Sequence, residues 1–177
     1  MVKAIERILL VLVVVYASSG YCTSQSEMDS CITVERLTVQ GSSMEPMLRS
    51  GNKVWLYHSY FSCGNEVERG DIIAFRNAVE KIPLIKRVCA TSNDFVDVLP
   101  DGYVLINGDS LVNSVGELYR FNEGQSRMIG MYVSKGHIPK DSFLVFGDNT
   151  KVSNDSRTFG VCSAKQIIGK FGPQPSE

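Results

Sequence analysis

The chain has 177 residues, of which 44% are hydrophobic and 21% charged, with a formal net charge of −1. That length supports one domain with a real core, and the composition is that of a globular chain rather than a disordered one. The balanced charge leaves no electrostatic footprint for a nucleic-acid partner.

The N-terminus departs from this average. Lys3 and Arg7 precede an apolar run from Ile8 to Ala17. As a helix the run would reach roughly 15 Å, against a hydrocarbon thickness of about 30 Å. It is therefore closer to the apolar region of a signal peptide than to a full span. Counting from Ala4 to Gly20 gives about 17 residues, the lower limit for a spanning helix, with Glu6 and Arg7 inside it. Residues 1–20 are expected to be a signal anchor or signal peptide, and the positive charges ahead of the run place the chain beyond Tyr21 outside the cytoplasm. Residues 21–32 read as a linker, and residues 33–177 as a β-rich domain.

Cysteines stand at 22, 31, 63, 89 and 162. No C-x-x-C pair exists, so no zinc site is expected, nor any other metal or cofactor. In an exported domain one or two disulfides are expected, and the odd count leaves at least one thiol unpaired in a monomer.

From residue 33 the chain reads as short strands separated by turn signals. The runs are Thr33 to Val39, Lys53 to Tyr57, Asp71 to Arg76, Leu84 to Val88, Phe95 to Val98, Tyr103 to Ile106 and Ser142 to Phe146. Between them fall Ser50-Gly51-Asn52, Arg69-Gly70-Asp71, Pro100-Asp101-Gly102, Asn107-Gly108-Asp109 and Gly147-Asp148-Asn149. Helical periodicity is scarce, with modest candidates only at Ser43 to Leu48 and Ser163 to Ile168. The expected class is mainly β, with antiparallel meanders. Residues 107–136, richer in Gly, Asn and Ser, read as an inserted excursion of that domain.

Three segments carry chemistry. The first is Gly41-Ser42-Ser43-Met44-Glu45-Pro46. A serine hydroxyl is a weak nucleophile until a neighbouring base takes its proton, and the backbone beside it must offer an N–H to a developing oxyanion. The base is not an obvious histidine: His58 and His137 lie in no motif, whereas a Ser-His-Asp triad needs an oriented imidazole. The second segment, Pro83-Leu84-Ile85-Lys86-Arg87-Val88, offers a lysine instead. An ordinary lysine, with a pKa near 10.4, is a poor base at neutral pH, but burial disfavours the ammonium. In a strand Leu84, Lys86 and Val88 share one face, so Lys86 stands in an apolar row. Arg87 cannot serve, because a guanidinium stays protonated. The third segment is Gly147-Asp148-Asn149-Thr150-Lys151-Val152-Ser153-Asn154-Asp155-Ser156-Arg157. Asp155 and Arg157 can pair there, and Ser153 can hydrogen-bond a neutral amine.

Taken in order, S-M-x-P at Ser43 to Pro46, R-G-D-I-I-A-F at Arg69 to Phe75, I-K-R-V at Ile85 to Val88 and G-D-N-x-x-x-S-x-D-S-R at Gly147 to Arg157 resemble the type I signal peptidases. The resemblance runs over residues 37–170 with gaps. It implies a signal-peptidase-like antiparallel β catalytic fold behind an N-terminal anchor. It also implies a Ser/Lys dyad with Ser43 as nucleophile, Lys86 as general base, Ser153 orienting the lysine, and Asp155 and Arg157 bracing the site. Gly41 stands where some members carry a hydroxyl, which leaves the oxyanion hole to backbone. The implied substrates are signal peptides of exported preproteins with small residues at the cut, bound at the extracytoplasmic membrane surface. Membrane lipid and the translocation machinery are further implied partners. Substrate would lie extended beside Leu37 to Gly41 and Pro83 to Ile85 in the strand-addition mode, touching Val39, Gly41 and Ile85. The alternatives are a maturation peptidase dedicated to one transfer system, a self-cleaving repressor, which would need a DNA-binding segment where the export segment stands, and a non-catalytic membrane-tethered β module.

Overall fold

The computed structural model describes residues 31–77, 80 and 82–175. The expected export segment and most of the linker lie outside the described residues. Among those described, no helix is long and apolar enough to cross a membrane.

Among the described residues, ten strands and two short α-helices build the domain. In chain order they are β1 (Thr33–Thr38), β2 (Lys53–His58), β3 (Ile72–Phe75), β4 (Leu84–Thr91), β5 (Val96–Val98), β6 (Val104–Ile106), β7 (Asp109–Ser110), α1 (Glu123–Gly130), β8 (Ser142–Phe146), α2 (Ser156–Phe159), β9 (Cys162–Ser163) and β10 (Ile167–Gly172). A seven-stranded sheet runs β1-β2-β10-β3-β4-β8-β9, and a three-stranded sheet runs β5-β6-β7. Every paired ladder is antiparallel.

Side chains alternate across a strand, and β8 shows the consequence. All five of its residues are buried, because it has a core on each face. Phe143 and Val145 pack with Ile73, Phe75, Val88 and Cys162. Leu144 and Phe146 pack with Ala90, Ile106, Tyr119, Phe121 and Ile129. Buried on both sides, β8 reads as a continuous apolar run rather than an alternating one. It delivers the Gly147 segment, fixed in position, to the end of the sheet.

All seven predicted strands form, Ser142–Phe146 with unchanged ends and the others with one or both ends moved by at most three residues. Three further strands, β7, β9 and β10, escaped sequence-based reading. So did α1, which lies inside residues 107–136. Its N-terminus carries a capping box: the Asn122 side chain accepts from the Gln125 N–H, and the Gln125 side chain accepts from the Asn122 N–H. Ile129 is its buried anchor, and together with Ile106, Tyr119 and Phe121 it joins the main apolar cluster. The excursion is thus packed into the domain.

Neither predicted helix forms as such. Residues 43–48 make successive turns, with Glu45 N donating to Ser42 O and Leu48 N to Met44 O. Ala164–Gln166 is a single 3-10 turn, after which Ile167 and Ile168 enter β10. Their β-branched side chains suit a pleated surface better than a helix.

Cys31, just ahead of β1, is disulfide-bonded to Cys63 in the segment after β2. Cys89 and Cys162 are free thiols, both buried.

Candidate functional site

The Ser43 turn lies against the start of β4 and the Gly147 segment. Gly41 enters it at φ +82°, a left-handed conformation that a side chain would strain. Asn149 then clamps the turn: its backbone N–H donates to Ser43 O at 3.0 Å, and its side-chain amide donates to Ser42 O at 3.2 Å. Gly147 permits the close approach, since a methyl group there would overlap both Ser43 O and Ser153 Oγ.

Lys86 reaches this turn from β4. Its Nζ lies 2.8 Å from Ser43 Oγ and donates to Ile85 O at 2.8 Å. The side chain is 2% exposed. In the β3–β4 ladder it stands opposite Ile73, and Leu84 and Val88 along its own row belong to the same apolar cluster. Burial in that row pushes the amine down from 10.5 to about 8, against an opposing pull from Asp155. At 1.36 kcal/mol per tenfold, the bias toward the neutral amine is roughly 3 kcal/mol.

Two buried ion pairs brace the turn. Arg157 grips Asp155 with Nε to Oδ1 at 2.8 Å and a terminal nitrogen to Oδ2 at 2.7 Å. The Asp155 carboxylate also accepts from the backbone N–H of Gly147 at 3.1 Å and of Arg157 at 3.2 Å. The other terminal nitrogen of Arg157 donates to Thr150 O at 2.6 Å. Asp155 therefore caps α2 and ties it to the Gly147 segment at once. The second pair is Arg87 with Asp148, at 2.9 and 2.8 Å, and the Asp148 side chain is fully buried. It fastens the residue next to Lys86 to the residue next to Asn149. Tyr119 completes the frame by donating its hydroxyl to Gly147 O at 2.9 Å. Burial raises its phenol well above the ordinary range, so it stays a donor. Bidentate charge-assisted pairs of this kind fix geometry as well as charge.

Ser43, Lys86, Ser153, Asp155 and Arg157, drawn from three distant segments, thus meet in one frame. Ser153 sits against Gly147, with its Oγ buried and without a hydrogen-bond partner among the described residues. Sequence reasoning missed the Arg87–Asp148 pair, the Asn149 clamp and the Tyr119 donor. These are links across 61, 106 and 28 positions, and no local pattern announces them. His137 is remote from this chemistry, with Nδ1 3.0 Å from Asp94 O. Among the described residues, no cluster of His, Cys, Asp and Glu is suited to a metal ion.

A groove of about 410 Å³ opens beside the pair and is lined by Ser43 and Lys86 together with Val39, Gly41 and Ile85. β4 leaves an edge free there, because β8 pairs with it only from Arg87 to Thr91. A larger cavity of about 1030 Å³, between β5 and α1, contains none of these residues.

A family model described as "Signal peptidase, peptidase S26" matches residues 3–172. Signal peptidase IB of Staphylococcus aureus is 30% identical over 142 residues, covering 75% of this chain and 73% of that protein. Signal peptidase I of Bacillus amyloliquefaciens is 30% identical over 141 residues, covering 76% and 70%. Among solved structures, signal peptidase I of Enterococcus faecalis V583 aligns with a TM-score of 0.41 at 24% identity, over 60% of this chain and 97% of that one.

Proposed function

The chain belongs to the signal peptidase S26 family, and we propose that Ser43 is its nucleophile and neutral Lys86 its general base in removing signal peptides from exported preproteins. The observation that carries the assignment is the 2.8 Å approach of Lys86 Nζ to Ser43 Oγ, made by a lysine that is 2% exposed. A nucleophile and base within hydrogen-bond reach, with the base itself held by a third group, is the arrangement that covalent catalysis requires.

The chemistry then runs in two halves. Lys86 Nζ takes the Ser43 hydroxyl proton as Oγ attacks the carbonyl carbon of the scissile bond. The developing oxyanion is met by backbone N–H, since Gly41 supplies no hydroxyl. The ammonium returns the proton to the leaving amine, which departs as the new N-terminus. In the second half Lys86 deprotonates a water that hydrolyses the acyl ester and restores Ser43. No histidine is needed, because burial, with the Arg157 charge beside it, supplies an amine that is half neutral near pH 8. Ile85 O holds the amine beside Ser43, and Ser153, whose buried Oγ is without a partner among the described residues, is the hydroxyl free to receive and orient it during the reaction. Asp155 and Arg157 keep Ser153 and Gly147 in register.

Substrate enters as an extended segment along Val39 to Gly41 and adds to the free edge of β4 at Ile85. Side chains on alternate positions then face the groove, and small ones fit beside Val39, Gly41 and Ile85. The N-terminal segment, residues 1–20, holds this domain at the extracytoplasmic membrane surface, beside lipid and the translocation machinery that delivers preproteins.

The test uses the full chain and a panel of preproteins, with N-terminal sequencing of the products. Cleavage after small residues is expected from the native protein, and a loss of at least about 10³-fold from Ser43→Ala and from Lys86→Ala, at the scale of general-base removal. Near-native cleavage by either variant would overturn the dyad.

A further inference from the structure

The groove continues well past the dyad. Residues paired directly across an antiparallel ladder share a face, and such pairs link Ile85 to Ala74, Ala74 to Gly169 and Gly169 to His58. The row crosses three strand spacings of about 4.8 Å, or roughly 14 Å. Ala74 and His58 of this row line the groove, and between them stand the taller Leu56, Ile168 and Phe171. One end lies beside Lys86. At the other, His58 Nε2 lies 2.8 Å from Glu35 Oε2, and both residues line the groove.

This far end differs chemically from the rest. Leu37, Val54, Leu56 and Phe171 make the intervening wall apolar. Glu35 is the one carboxylate among the described residues that line the groove. Its side chain is 56% exposed, against 30% for His58, so a second carboxylate oxygen stays open to a ligand. Arg76 also lines the groove, but it extends β3, three strands from β1 in the sheet. Along β1, Glu35 lies four residues before Val39, about 13 Å at 3.3 Å per residue. The first distance runs across the strands and the second along β1, and an extended substrate lying parallel to β1 follows the second: it would meet Glu35 about four residues N-terminal to the side chain seated between Val39 and Ile85.

We propose that Glu35, held by His58, is a specificity-determining residue that accepts a hydrogen-bond-donating side chain, lysine above all, four to seven residues before the cleaved bond. The proposal rests on the reading of this groove as the signal-peptide site. An exposed carboxylate binds an ammonium equally in the ground and transition states, so the preference should fall on KM rather than kcat.

The experiment compares paired peptides that carry lysine or norleucine, equal in chain length, at each of the four positions from fourth to seventh before the cut. The expected result for the native protein is a lysine preference of about tenfold in kcat/KM at one of these positions, equivalent to about 1.4 kcal/mol. Glu35→Gln, which keeps the size and an acceptor for His58, should bring the ratio to within about twofold of one, and Glu35→Lys should invert it. Because a ratio is read, a general loss of activity cancels. No positional preference in the native protein, or a preference that survives Glu35→Gln, overturns the proposal. Ser43→Ala is run beside them: if it cleaves these peptides, the underlying reading of the site fails instead.

Discussion

Replacing Asp155 by Asn tests the frame around the dyad. The native carboxylate is fully buried and binds Arg157 through two contacts of 2.8 and 2.7 Å. Asn keeps the shape but leaves a guanidinium, 5% exposed, without a counter-charge. Breaking a buried pair from one side costs about 3–5 kcal/mol. For a domain of this size each kcal/mol moves Tm by about 2–4 °C, so the expected drop is on the order of 10 °C, read by thermal denaturation. The same change acts on Lys86. Asp155 is the largest influence raising that amine, and Arg157 is the largest charge lowering it. Removing the first and leaving the second should push Lys86 further below about 8, moving the rising limb of kcat/KM toward acid. An unchanged Tm, or a limb displaced to alkaline pH, would refute the assignment of this pair as both brace and field.

Gly147→Ala should abolish cleavage while leaving a folded protein by circular dichroism, because the added methyl displaces the Ser43 carbonyl and Ser153. Arg87→Lys should lower stability by about 2 kcal/mol, since a point charge replaces a bidentate fork on a fully buried Asp148; chemical denaturation checks it. Removing the disulfide as Cys31→Ser/Cys63→Ser should cost about 3–4 kcal/mol by loop closure over a separation of 32 residues, and reductant should then have no further effect on Tm.

The strand pattern was legible because alternation and turn residues are local signals, and the same alternation singled out Lys86 as the amine in an apolar row. The α1 helix was hidden, since its eight residues, EGQSRMIG, bury only Ile129. The Asn122-x-x-Gln125 capping box was the signal available for it. β10 was masked by Gly169, Lys170 and Gly172, which break an apolar run, although its place between β2 and β3 buries it in the sheet. The Arg87–Asp148 pair and the Asn149 clamp depend on where β4 and β8 end relative to each other, which is a property of the folded sheet and not of either segment.

The most direct test of the central claim is the pH dependence of kcat/KM on one signal-peptide substrate, which reports the free enzyme's essential base. A buried Lys86 must lose its proton to act, so activity should rise through a single step with a midpoint near 8. A profile without that step, or one whose midpoint sits at the ordinary lysine value of 10.5, would contradict it.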